Sequence, residues 1–343
     1  MTMRTDFFDY ELPQAVIAQT PIEPRHAARM LVDLGVTGDV EHRTVADLDR
    51  VLQSGDVLVV NNTKVLAARL NLFKPTGGAV EVLLLEPTGN GDEWQALVRP
   101  GRRVADGTKL EFDGRPVVEV GRPVGDGRRL VTIDSTIIDE HGEIPLPPYI
   151  TEPLADPDRY QTVFADRVGS VAAPTAGLHL SDQVLERLAD RGVVVETIEL
   201  FVGLGTFRPI STELIDEHEM HDERYQVDPA TWDRLIAARS RGARLVAVGT
   251  TVVRTLEAAA ITGDLEGSTD LFIRRGHQWR MVDLLLTNFH IPRSSLLVLV
   301  DAFVGDRWRD LYATALAEGY RFLSFGDCML VARRTEPGGT EGR

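Results

Sequence analysis

Between about residues 70 and 150 the chain changes texture, and that change constrains its fold more than any other feature. Short β-rich runs follow one another there, Val80-Glu-Val-Leu-Leu-Leu85, Gln95-Ala-Leu-Val98, Val117-Val-Glu-Val120 and Leu130-Val-Thr-Ile133, separated by Gly- and Pro-rich turns. That rhythm predicts a small antiparallel barrel or sandwich. On either side, helical and extended patterns alternate as they do in α/β domains. Upstream, Asp56-Val-Leu-Val-Val60 is a near-continuous apolar run, the signature of a buried parallel strand. Downstream, Pro145-Leu-Pro-Pro-Tyr149 is a stiff extended connector. After it, residues 185–191 read as helix, 193–200, 244–248, 282–286 and 328–332 as strands, and 252–260 as a second helix. Ser294 or Ser295 caps the helix that follows. The expected architecture is an α/β main domain interrupted by an inserted antiparallel β-barrel domain. The α/β domain is discontinuous over 1–68 and 151–334, the barrel occupies 69–150, and 335–343 is a disordered tail. A length of 343 residues suits two domains.

Several classes drop out early. Cys328 is the only cysteine, which leaves neither a disulfide framework nor a Cys-rich zinc site. His218-Glu-Met-His221 spaces its histidines by three where the helical zinc motif needs four, so no metal is expected. The longest apolar stretch near Leu296 to Val300 is too short to span a bilayer. Asp6, Asp9 and Glu11 interrupt any basic-then-apolar leader, and the expectation is a soluble cytoplasmic protein. The net charge of −15 argues against indiscriminate binding of nucleic acid, which needs clustered cations. Two such clusters exist, Arg99 with Arg102 and Arg103, and Arg274 with Arg275 and Arg280; the bland reading is a solvated surface.

Polar clusters stand at the ends of the expected strands. Asn61-Asn62-Thr63-Lys64 follows the first apolar run, and Gly203-Leu-Gly-Thr-Phe-Arg208 follows the 193–200 run. Pro174-Thr-Ala-Gly-Leu-His179 sets an imidazole just ahead of a helix, and Thr287-Asn-Phe-His290 ends another strand. Gly249-Thr250-Thr251 opens a helix whose free N–H groups suit an anion such as an amino-acid carboxylate. Each cluster alone is an ordinary turn, but convergence at one sheet edge is how α/β sites are built. Gly203-Leu-Gly205 lacks the third glycine of a dinucleotide fingerprint, since Arg208 stands there. No Gly-Lys-Ser/Thr phosphate loop occurs, and Ser170 and Ser324 lack a Gly-x-Ser-x-Gly elbow.

Taken together, these segments resemble one family. Val171-Ala-Ala-Pro-Thr-Ala-Gly-Leu-His179, Gly203-Leu-Gly-Thr-Phe-Arg-Pro209, Val248-Gly-Thr-Thr251 with Arg254 and Glu257, and Leu286-Thr-Asn-Phe-His290 with Pro292 and Ser294 are similar to the S-adenosylmethionine:tRNA ribosyltransferase-isomerases of queuosine biosynthesis. So are Asp9-Tyr-Glu-Leu-Pro13, Asn61-Asn-Thr-Lys64, Pro145-Leu-Pro-Pro-Tyr-Ile150 and Tyr320-Arg-Phe322, so that the likeness runs from about residue 6 to 332. It departs at Phe201, where the family pattern has a histidine, at Ala28 for a serine, and at Arg275-Gly276 for Pro-Gly.

The resemblance implies an α/β domain with an inserted barrel, and an enzyme that consumes S-adenosylmethionine as a ribosyl donor. Its acceptor would be 7-aminomethyl-7-deazaguanine at the tRNA wobble position, giving epoxyqueuosine and releasing adenine and methionine. A relative acting on a different deazaguanine, or a silent RNA-binding protein, are the alternatives. The implied catalytic groups are His179 and His290, with Asp283 or Glu257 as orienting carboxylates. Thr175, Gly177, Gly203, Gly205, Thr206, Gly249, Thr250, Thr251, Arg254 and Asn288 would hold S-adenosylmethionine. Arg99, Arg102, Arg103, Arg208 and Arg275 would meet tRNA. A monomer without a required protein partner is expected.

Overall fold

The computed structural model describes residues 3–35, 39–125, 127–203 and 209–334. It divides the chain into two compact units. The first takes the described residues of Met1–Lys64, Pro147–Arg167 and Ala173–Arg343; the second takes Val65–Leu146 and Val168–Ala172. The division falls at 64/65 and 146/147 where the sequence texture put it at 68/69 and 150/151. The short return of 168–172 to the second unit left no mark in composition.

The first unit is built on a nine-stranded mixed sheet. In spatial order its strands are Glu266–Thr269, Glu223–Gln226, Val194–Leu200, Val57–Asn61, Leu245–Val248, Leu284–Asn288, Cys328–Ala332, Arg29–Asp33 and Glu41–Thr44. The four from Val194–Leu200 to Leu284–Asn288 are mutually parallel, with Val59 opposite both Glu196 and Ala247. Cys328–Ala332 returns antiparallel beside Leu284–Asn288. Val57–Asn61, Leu245–Val248 and Leu284–Asn288 are buried at every position, which is why they read as continuous apolar runs. The sequence shifted one of them, placing at 282–286 a strand that pairs over Leu284–Asn288. Asp283 stands just before the ladder and accepts from Leu245 N at 2.9 Å.

Helices cover the sheet. Asp182–Asp190 starts at Ser181, whose hydroxyl accepts from Val184 N, and packs Val184 and Leu188 into the main core cluster. Thr250–Thr262 is buried over its first ten residues and stops at Gly263, which takes the left-handed conformation open to glycine. Ser294, not Ser295, caps Ser295–Val304 by accepting from Leu297 N. Ala28 lies wholly buried in the core cluster, where a methyl group needs no hydrogen-bond partner.

The second unit is a closed six-stranded antiparallel barrel, ordered Arg128–Ile133, Glu93–Arg99, Ala79–Pro87, Arg69–Phe73, Thr108–Phe112 and Arg115–Gly125. Alternating burial along Arg69–Phe73 and Arg128–Ile133 points Leu70, Leu72, Val131 and Ile133 inward. The sequence reading found four of these six strands. Arg69–Phe73 and Thr108–Phe112 escaped because each alternates with charged or polar residues over only five positions.

Candidate functional site

The four parallel strands end at one edge of the sheet, and a cleft opens there, of about 590 Å³ with its open mouth included. That size is ordinary for a small-molecule site. Thr175, the 249–251 turn, Asn288 and His290 line it, together with Tyr149, Leu323 and Ser324.

The turn is dictated by Gly249. Its φ is +89°, and a Cβ there would lie 3.4 Å from the Ala176 Cβ, so only glycine fits without strain. Its N–H donates to Leu286 O at 2.8 Å, tying the turn to the neighbouring strand. The helix therefore begins abruptly, and no side chain caps it. Its first-turn N–H groups keep their partial positive charge. Thr251 adds a hydroxyl that is buried without a hydrogen-bond partner, in a residue only 8% exposed. Such an orphan costs about 1–3 kcal/mol in the free protein, which favours a ligand that accepts from it.

A second hollow of about 420 Å³, its open mouth included, shares Thr250, Thr251 and Leu296 with the cleft and is lined by His218, His221, Glu223 and Arg254. Arg254 donates from Nε to Leu271 O at 3.1 Å, from Nη2 to Thr269 O at 2.9 Å, and from Nη1 to the Glu223 carboxylate. Glu223 also accepts from Gly203 N at 3.0 Å. Each of the three guanidinium nitrogens thus has a partner, and the charge is balanced by Glu223 before any ligand arrives. Burial, with His221 nearby, holds the His218 imidazole below its ordinary pKa.

Asn288 organises the other wall. Its Nδ2 donates to Leu323 O at 3.1 Å, and since a carbonyl only accepts, that contact fixes the amide's orientation. Its Oδ1 accepts from Thr175 Oγ1 at 3.1 Å, and Nδ2 also donates to His179 Nε2 at 2.9 Å. The His179 proton therefore resides on Nδ1. Burial foremost, then the charges of Arg321, Arg159 and Arg25, push the His179 pKa down to about 4. His290 faces the cleft with Nε2 3.0 Å from Thr287 Oγ1, while Tyr312 OH accepts from its backbone N–H at 2.9 Å. Tyr10 OH donates to its carbonyl at 2.5 Å, and burial brings the His290 pKa to about 3. Both rings are neutral at pH 7, and the burial that keeps them so also makes each a weak base in the free protein.

Several residues expected in the site stand elsewhere. His179 touches the cleft only through Asn288 and lines a separate recess behind it. Gly177 serves packing: a Cβ there would lie 2.8 Å from Phe164 Cζ and 2.9 Å from Thr162 Cγ2. Asp283 sits at the amino end of the Leu284–Asn288 strand, bonded to Arg239 at 2.9 Å, with the whole strand between it and His290. Glu257 lies two turns down its helix and accepts from Arg280 N, Met281 N and Val282 N at 2.9–3.1 Å and from His277 Nε2 at 3.2 Å. Burial opposes its charge, but those hydrogen bonds hold its pKa below the ordinary value. Neither carboxylate orients His179 or His290.

Arg275 is bound by Asp301, at 2.7 and 2.6 Å, and by Asp306 at 2.5 Å, which removes it as a free phosphate contact. Arg99, Arg102 and Arg103 are exposed on the barrel unit, where Arg99 pairs with Glu81 at 3.7 Å. Gly205, Thr206 and Arg208 lie outside the described residues, as does the 335–343 tail. Phe201, in place of the family's histidine, carries the Arg224 guanidinium 4.3 Å over its ring. Sequence reasoning missed Tyr149, Leu323 and Ser324 as lining residues. Tyr149 lay within a recognised motif, but nothing local betrays that its OH meets Ser324 Oγ at 2.7 Å. Leu323 takes a φ of +69°, rare for a branched side chain and common at ligand sites.

Among the described residues no cluster of three or more His, Cys, Asp or Glu is arranged to hold a metal ion, and no helix is long and apolar enough to cross a membrane. Comparison with known proteins places the chain in a family. Residues 5–331 match the model of the queuosine biosynthesis protein family, and the chain belongs to that family. It is 50% identical over 342 residues to the S-adenosylmethionine:tRNA ribosyltransferase-isomerase of Moorella thermoacetica, covering 96% of this chain and all of that one. The Desulfitobacterium hafniense protein of the same name is 47% identical over 341 residues, with 96% and 100% covered. The crystal structure of S-adenosylmethionine tRNA ribosyltransferase from Thermotoga maritima matches with a TM-score of 0.55 and 37% identity, over 94% of this chain and 99% of that one.

Proposed function

We propose that this chain is an S-adenosylmethionine:tRNA ribosyltransferase-isomerase. It transfers and isomerises the ribosyl part of S-adenosylmethionine onto 7-aminomethyl-7-deazaguanine in tRNA, giving epoxyqueuosine with release of adenine and methionine. The observation that carries this reading is end-to-end identity of 50% with a protein of that name. The cleft supports it, because it offers what such a substrate needs. The open N–H groups after Gly249 and the orphan Thr251 hydroxyl suit the methionyl carboxylate, while Thr175, Asn288 and His290 surround the remaining space.

The sulfonium acidifies the neighbouring 5′ C–H of its ribose, so a neutral base can remove that proton and adenine can depart. His290 is the imidazole that faces the cleft, and it is unprotonated at pH 7 as a base must be, although burial lowers its basicity in the free protein. His179 acts through Asn288, holding the amide that faces the substrate. The amine of the acceptor base then adds to the opened sugar, and methionine leaves as the epoxide closes. We place the reaction in the cytoplasm, carried out by a monomer.

The decisive experiment incubates the protein with S-adenosylmethionine and tRNA bearing the precursor base, and measures adenine. Adenine in step with epoxyqueuosine in the tRNA is the expected result. Absence of both with a folded protein overturns the reading.

A further inference from the structure

Ser324 is shared between the cleft and a smaller, shallow recess of about 230 Å³ with the open space at its mouth included, whose polar lining is Arg25, Arg159, His179 and Ser324 itself. No carboxylate is among its lining residues. Arg159 is only 12% exposed in its side chain; Nη2 donates to Ile22 O at 2.8 Å, but Nη1 is buried with no hydrogen-bond partner. Its Nε is paired with Glu23, a residue two-thirds exposed. Arg25 donates to Gln161 O at 2.8 Å and Asp158 O at 3.0 Å. Carbonyls orient both guanidiniums, and the one carboxylate paired with them directly is the largely exposed Glu23 on Arg159.

The charges press on one another. Burial and the nearby Arg159 lower the Arg25 pKa, an effect that Glu23, Asp156 and Asp182 offset only in part. His179 stays neutral beside them, with its ring proton on Nδ1 because Nε2 accepts from Asn288. Two crowded cations, an unsatisfied guanidinium N–H and a neutral imidazole donor describe a socket for a compact anion with several acceptor oxygens.

We infer that this recess binds a backbone phosphate of the RNA substrate, beside the nucleotide whose base enters the cleft. The inference rests on the RNA-modifying reading above. A chain of net charge −15 repels RNA overall, so a local concentration of cations next to the reaction site is where contact with a phosphate would be most favoured. The shared Ser324 wall puts the recess next to the cleft, as a flanking phosphate requires.

The test uses the full chain without S-adenosylmethionine, measuring tRNA affinity over a series of salt concentrations. Arg159→Ala should weaken binding about tenfold and lower the slope of log affinity against log salt by roughly one. Arg25→Ala should do the same, and Arg159→Lys should recover most of the loss. A second measurement needs no variant: the His179 ring signals of the wild-type protein should move when inorganic phosphate is added and stay put in chloride of equal ionic strength. A folded Arg159→Ala protein with unchanged slope overturns the assignment to RNA, and a His179 signal indifferent to phosphate overturns the socket itself. Movement with inorganic phosphate but an unaltered tRNA slope makes it a free-phosphate site and also overturns the RNA assignment. Neither experiment reads adenine, so failure of the transferase reading remains distinguishable from failure of this one.

Discussion

At the scale of single residues, Thr251 separates stability from binding. A buried hydroxyl without a partner is a liability in the free protein, and valine has nearly its shape. Thr251→Val should therefore raise the melting temperature slightly, by the equivalent of about 1 kcal/mol, while weakening S-adenosylmethionine about tenfold. Calorimetric titration and a thermal melt on one preparation decide it; unchanged affinity would move the carboxylate site elsewhere. The two histidines supply a pH signature. Their folded pKa values, about 4 for His179 and about 3 for His290, lie below the 6.5 of the unfolded chain. The unfolded state thus binds more protons below pH 6.5. Their contribution is fully present above that pH and is lost as pH falls from 6.5 through 4 and then 3, amounting to roughly a few kcal/mol for each ring. Urea midpoints at pH 7, 5.5 and 4.5 should fall in that order, and His290→Asn should flatten the fall. A midpoint independent of pH across this range would mean that the rings are not buried neutral.

At the scale of elements, the strand-and-turn pattern was readable because its physics is local. Continuous apolar runs announced buried parallel strands, and the helix that follows Gly249-Thr-Thr251 could be placed from composition alone. What could not be read was which end of a strand a residue occupies relative to its neighbours. Asp283 and His290 are seven positions apart in sequence, yet the intervening strand holds them at opposite edges of the sheet. Likewise Glu257 looks like an active-site acid by motif, but its helix carries it away from the edge, to bond the backbone of 280–282. Its role is to pin the segment that feeds the Leu284–Asn288 strand. Glu257→Ala would strand three backbone N–H donors, Met281 N and Val282 N among them buried, and should destabilise the fold by about 3 kcal/mol or more. At a temperature where the variant is folded, its S-adenosylmethionine affinity should stay within about twofold of wild type. A stable Glu257→Ala protein with abolished turnover would return the carboxylate to catalysis.

At the scale of the whole molecule, 37 Lys and Arg against 52 Asp and Glu make productive RNA contact a matter of where the unpaired cations lie. Composition cannot resolve that, because it counts Arg275 and Arg103 alike. Arg275 is consumed by Asp301 and Asp306, and Asp301 is buried. Arg99 is partly balanced by Glu81, whereas Arg102 and Arg103 enter no ion pair among the described residues. The order of effects on tRNA binding follows from the number of counterions each releases. Arg102→Ala and Arg103→Ala should each reduce the salt slope by roughly one, Arg99→Ala by less, and Arg275→Ala not at all. Arg275→Ala should instead cost about 3 kcal/mol of stability, by leaving the buried Asp301 carboxylate without its bidentate partner. Measured together in one salt titration series with parallel melts, the four variants form an internal control. If Arg275→Ala changes the slope as much as Arg103→Ala while the melt is unmoved, pairing does not govern which arginines meet RNA, and the barrel surface loses its claim to the contact.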